Sequence, residues 1–155
     1  MKPVEPRPWV FVLAGGLVAG TGDIVYACVF WALRTGAPAV RILQSVAAGL
    51  LGRASFEGGV ATASLGLTLH YLIATTMSVT YYLVASPWPL LRRRPLLCGA
   101  GYGLLLFVVM TYVVVPLSRA NPPPSDPLWI VLSVAVHALL IGVPIALFSR
   151  RAHRR

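Results

Sequence analysis

Long apolar stretches, broken at short intervals by prolines and arginines, run along the chain from Trp9 onwards. Four of them, at residues 9–33, 59–85, 96–117 and 128–148, reach the roughly 20 residues that a helix needs to cross a hydrocarbon core. Each ends on clear punctuation. Pro87-Trp88-Pro89 and then Arg92, Arg93 and Arg94 close the second stretch. Pro116 and the extended, polyproline-like Asn121-Pro122-Pro123-Pro124 close the third. The fourth opens on Asp126-Pro127, a capping residue followed by proline at the first helical position, and ends against an arginine-rich tail.

Between the first two stretches, residues 38–52 follow a different period. Arg41, Gln44, Ser45 and Ala48 recur at i, i+3, i+4 and i+7, while Val40, Ile42, Leu43, Val46, Ala47, Leu50 and Leu51 fill the other positions. This predicts an amphipathic helix of about 15 residues, too short to span and suited to the membrane interface or to a shallow re-entrant element. The expected fold is an all-α membrane protein: one domain over residues 1–155, a four-transmembrane-helix bundle with an amphipathic helix between the first and second spans.

Composition agrees. With 57% hydrophobic and 11% charged residues, the chain departs from soluble domains, in which about a quarter of residues are charged. The net charge of +9 does not indicate nucleic acid, because the basic residues sit beside apolar spans rather than on a basic helix face with stacking aromatics. Nine (Lys2, Arg7, Arg92, Arg93, Arg94, Arg150, Arg151, Arg154, Arg155) fall on one predicted side and four (Arg34, Arg41, Arg53, Arg119) on the other. The richer side is expected to be cytoplasmic, which puts both termini in the cytoplasm of a bacterial-type inner membrane. Trp9, Trp31, Trp88 and Trp129 all lie at predicted span ends, where aromatic belts form.

The first stretch reads as a retained span rather than a cleaved leader, because its apolar run continues past Ala19 and a bulky Tyr26 stands before Ala27-Cys28 where processing prefers small residues. Cys28 and Cys98 fall toward opposite faces, beyond the roughly 7 Å Cα limit of a disulfide, and are expected as free thiols.

Ionisable groups at membrane depth are costly and usually face the bundle interior. Asp23, His70 and His137 lie on three different spans, each about 15 Å below the outer end of its helix at 1.5 Å per residue. Gly16, Gly20, Asp23 and Ala27 form one stripe, and Ala63, Gly66, His70 and Ala74 another, so small residues would bring these backbones close. Gly99 and Gly103 give the third span a similar face.

Three uses of this cluster are open. Its members can hydrogen-bond one another, or Tyr26, Thr68, Tyr71 and Tyr112, to lock the bundle. A proton or ion path can pair a histidine with Asp23, with Arg41 and Gln44 gating its outer mouth. The two histidines can ligate a haem, or with Asp23 a metal ion. No HExxH, CxxCH or paired-cysteine signature accompanies the last reading, so no cofactor or metal is expected. The glycines between Gly15 and Gly22 follow no strand and read as packing residues, not as a dinucleotide loop. Glu57 most simply stabilises the N-terminus of the second span.

Ala19-Gly20-Thr21-Gly22-Asp23, the run from Ile42 to Gly52 and Leu65-Gly66-Leu67-Thr68-Leu69-His70 together resemble small bacterial four-span membrane proteins of no assigned activity. The likeness covers about the first half of the chain and implies an inner-membrane location. The function expected is that of a structural or accessory membrane protein rather than an enzyme, the alternative being a small proton-coupled transporter or channel. Its partners would be the lipid bilayer and, through small-residue stripes that permit association without demanding it, a second copy or another membrane protein.

Overall fold

A computed structural model describes residues 7–122 and 124–154. The leader with Lys2 and Glu5, Pro123 of the proline loop and the terminal Arg155 lie outside the described residues. Among the described residues all regular structure is helical. Helix α1 covers Pro8–Thr35, α2 Ala39–Leu51, α3 Gly59–Ala85 and α4 Pro89–Arg93. Helix α5 covers Pro95–Leu117 and α6 Pro127–Ala152, and a 3-10 turn, Gly52–Phe56, joins α2 to α3.

Local chemistry sets the ends. Helices α1, α4, α5 and α6 all begin with proline in their first turn, where the missing N–H has no intrahelical acceptor to serve. Helix α1 stops at Gly36, whose φ of 71° only glycine adopts without strain and whose N–H returns to the Ala32 carbonyl. The Asp126 carboxylate caps α6 by accepting from the N–H groups of Leu128 and Trp129. The longest difference from the sequence-based bounds is at the end of α6, where the helix continues through Arg150 and Arg151 to Ala152.

Helices α1, α3, α5 and α6 are long and apolar enough to cross a membrane, which makes this a multi-pass helical membrane protein. Two of the four are not uniform. Helix α5 widens into a π-helical segment at Met110–Val114 and α6 at His137–Gly142. A proline follows each segment closely, Pro116 and Pro144. Proline offers no N–H to the carbonyl four residues earlier and its ring crowds that carbonyl, which for these two prolines belongs to Tyr112 and Leu140, both inside the π segments.

The bundle interior is built from alanines, branched aliphatics and tyrosines. Ala19, Tyr81, Ala85, Leu106, Ile141, Ile145 and Ala146 form its core, with Met77, Leu91 and Tyr102 packed against it. Large apolar side chains such as Leu33, Val60, Leu97, Leu117, Val131 and Leu139 are exposed on the outside, the inside-out pattern of a surface that meets lipid.

The two ends differ in charge. At one, the rings of Trp9, Tyr82 and His153 meet in sequence, tilted, at centroid distances of 5.5 and 4.4 Å, joining the start of α1 to the ends of α3 and α6, with Arg92, Arg93, Arg150 and Arg154 around a shared pocket. At the other, Arg34 pairs with Asp126 at 3.0 Å, Arg41 and Arg53 line a second pocket, and the Arg119 N–H donates to the Gly49 carbonyl. Helix order thus divides the described arginines between the ends as the basic-residue count divides them.

Candidate functional site

The polar groups within the bundle are held chiefly by backbone carbonyls. Along the seam between α1 and α3, His70 Nε2 donates to the Gly20 carbonyl at 2.8 Å. Eight residues further along α3, the Ser78 hydroxyl, on a side chain 1% exposed, donates to the Val12 carbonyl at 2.7 Å, eight residues back along α1. Midway between these bonds a Cβ on Gly16 would come within 2.7 Å of the Thr75 Cα and 3.2 Å of the Ala74 carbonyl oxygen. His70, Ala74 and Ser78 therefore meet Gly20, Gly16 and Val12 in antiparallel register, one helical turn per step. Thr21 and Tyr71 add a hydroxyl pair at 2.8 Å beside it.

Glycine is needed here for close approach. Without a side chain at Gly16 and Gly20, the α1 carbonyls lie within reach of side chains on α3, and an interhelical bond of this kind contributes about 0.6–2 kcal/mol. Among the described residues no hydrogen bond or ion pair joins Asp23 to either histidine, although Asp23 stands only three residues beyond Gly20 on α1. It is partly buried.

His137 is used differently. Its Nδ1 donates to the Ser133 carbonyl at 2.9 Å, one turn back on its own helix, and its ring meets Phe107 of α5 edge-on at 5.4 Å. Opposite it the α5 backbone comes so near that a Cβ on Gly103 would collide with the His137 carbonyl, and one on Gly142 with the Gly99 carbonyl. Ser133, 3% exposed, also shares a hydrogen bond of 3.2 Å with Tyr26 of α1, whose ring stacks on Trp129 at 5.1 Å. Phe30 and Trp31 complete this aromatic group at the Asp126 end of the bundle.

Helix α2 packs on the first turns of α3 through Gly66, where a Cβ would collide with the Leu43 carbonyl. The stripe from Ala63 to Ala74 thus serves two neighbours, α2 at Gly66 and α1 at His70 and Ala74. Gln44 and Ala48, placed on the polar face of α2 by periodicity, are each 2% exposed, while Val40, Leu50 and Leu51 are exposed. Gln44 Nε2 donates to the Gly59 carbonyl at 3.0 Å and the Thr62 hydroxyl to the Ser55 carbonyl at 2.6 Å, so the buried amide ties α2 to the start of α3. Arg41 instead lies 4.8 Å over the Phe56 ring, in an open pocket of about 520 Å³ that Arg53, Glu57 and Asn121 also line.

Of the remaining candidates, Thr68 donates to the Ser64 carbonyl of its own helix at 2.9 Å, and Tyr112 is exposed on α5. Among the described residues no three His, Cys, Asp or Glu side chains converge as a metal-holding group, and His70 and His137 make separate contacts. Cys28 and Cys98 are both free thiols. Sequence reasoning missed Ser78 and Tyr102. Extending the stripe of His70 and Ala74 by one turn reaches Ser78, so a signal for it was present; nothing in the sequence marked Tyr102, whose hydroxyl donates to the Met77 carbonyl at 2.9 Å. Spacing puts Ser133 one turn before His137 on the same face, but its bond to Tyr26 needed the fold.

Outside the spans, hydrogen bonds from the Trp129 N–H and the Arg34 guanidinium hold the Asp126 carboxyl below its ordinary value, by stabilising the charged form. No protein-family model, curated protein or solved structure matches the chain.

Proposed function

We propose that this chain is a structural or accessory protein of a bacterial-type inner membrane, with both termini in the cytoplasm, whose intramembrane polar groups set helix register. The observation that carries this reading is the α1–α3 seam, where His70 and Ser78 are each satisfied by a backbone carbonyl of the neighbouring helix. A group held this way locks two helices together. A relay would instead need His70 to hand its proton to another titratable group, and the carbonyl it contacts does not take one up. The basic end, with its arginines from α4 and α6, supports the cytoplasmic assignment. Helix α2 is assigned to the outer interface, as an interfacial or shallow re-entrant element, with Val40, Leu50 and Leu51 toward lipid.

The full-length protein in proteoliposomes, with a pH-sensitive dye inside, tests the first part. Wild type, Asp23→Asn and His70→Gln are expected to leak protons no faster than protein-free vesicles. Wild-type flux that Asp23→Asn abolishes, with folding intact, would install the proton-pathway alternative instead. Orientation is read in a Cys28→Ala, Cys98→Ala background with a membrane-impermeant maleimide. Arg53→Cys is expected to label from outside intact cells and Arg93→Cys only after permeabilisation; the reverse pattern would invert the topology.

A further inference from the structure

The basic end holds more than a topology signal. Helix α4 and the end of α6 with the residues after it border an open pocket of about 390 Å³ lined by Pro89, Arg92, Arg93, Arg150, His153 and Arg154. Four guanidinium groups around one cleft raise the local positive potential, which favours an anion among them. The protein supplies none there from its described residues: Asp126 pairs with Arg34 at the far end, Glu57 lines the far pocket and Asp23 lies within a span. Glu5, the fourth acidic residue, lies outside the described residues.

Two further polar atoms in this region lack partners. His153 donates through Nδ1 to the Ser149 carbonyl at 2.9 Å and packs on Tyr82, leaving Nε2 buried with no hydrogen bond among the described residues. The Ser149 hydroxyl, one turn earlier, is 1% exposed and equally unpaired. With Nδ1 carrying a proton, Nε2 accepts from a protonated oxygen when the ring is neutral and donates to an anionic oxygen when the ring is charged. The combination of guanidinium forks and an imidazole matches phosphate oxygens in charge and hydrogen-bonding capacity.

We propose that this pocket binds a phosphate ester, gripped by Arg92, Arg93, Arg150 and Arg154 with His153 at its wall. The ester belongs either to the headgroup of an anionic lipid or to a soluble phosphate compound. The Trp9–Tyr82–His153 ring cluster sets the pocket at the level of an aromatic belt, within reach of headgroups.

The decisive comparison uses two arginine pairs from the same end. Arg93 and Arg150 line the pocket, whereas Arg94 and Arg151 do not, so Arg93→Gln with Arg150→Gln and Arg94→Gln with Arg151→Gln remove equal charge. Binding of phosphatidylglycerol, phosphatidylcholine and pyrophosphate to the full-length protein in detergent is followed by titration. Phosphatidylglycerol is expected to bind in preference to phosphatidylcholine, with affinity falling on the order of tenfold in the pocket pair and by less than about threefold in the control pair. Binding of pyrophosphate that displaces phosphatidylglycerol, or that occurs without any lipid preference, assigns the site to a soluble phosphate compound. Equal losses in the two pairs, or no binding of either anionic probe, overturn the proposal. Should the pocket pair fail to fold by circular dichroism and gel filtration, Arg92→Gln with Arg154→Gln is read the same way.

Discussion

The seam between α1 and α3 and the seam between α5 and α6 both rest on glycine, yet they are different joints. In the first, two uniform α-helices are joined by side chains that reach across to carbonyls, His70 to Gly20 and Ser78 to Val12. In the second, the backbones themselves touch at Gly99, Gly103 and Gly142, where α6 is widened into a π segment ahead of Pro144. Two histidines at similar predicted depth therefore do different work. His70 links two helices; His137 is satisfied within its own helix, and its carbonyl, not its ring, forms the close contact with Gly103.

Substitutions separate the two joints, and unfolding by detergent titration reads them on one scale. The largest effect is expected from Gly103→Ala, because the added Cβ meets backbone, which cannot rotate away; a loss of about 3 kcal/mol is expected. Gly20→Ala meets the Ala74 Cβ at 3.0 Å and the Tyr71 ring at 3.1 Å, contacts that a shift of a few tenths of an ångström relieves, so it should cost less, about 1 kcal/mol. Equal losses would remove the distinction between backbone and side-chain contact.

Next in size, His70→Leu is expected to cost about 0.6–2 kcal/mol by removing an interhelical bond, and His137→Leu clearly less. A larger loss for His137→Leu would show that its ring, and not only its carbonyl, holds α5 to α6. Ser78→Ala should cost about 0.6–1 kcal/mol and add to His70→Leu, since the bonds lie two turns apart and share no partner. Strong non-additivity would mean that the seam opens as a unit.

The smallest expected effect lies outside both seams. Because the Asp126 carboxyl is held below its ordinary value, its ionised form favours the folded state. That stabilisation is fully present above the unfolded carboxylate range and is lost as pH falls through the depressed native value. In Asp126→Asn the acid-side slope of stability should flatten there, with the variant less stable than wild type near neutrality by what that slope carried and the two converging in acid. An unchanged slope would show that the Arg34 pair and the cap contribute nothing measurable, as many exposed ion pairs do.

Much of this architecture was legible along the chain. Helix lengths, their prolines and arginines, the Asp126 cap and a short amphipathic helix follow from local hydropathy, capping chemistry and period, none of which needs a neighbour. The glycine stripes through Gly16, Gly20, Gly66, Gly99 and Gly103 marked where backbones come close. Tertiary structure alone decided what comes close to what: Gly66 meets α2 while His70, on the same stripe, meets α1, and Gln44 turns inward to the Gly59 carbonyl. Period places a residue on a face, but not the rotation or register of the helix opposite. Once glycine has admitted a bare backbone, a carbonyl is available at every turn, and a buried histidine or amide can be satisfied by a backbone that no side-chain pattern announces.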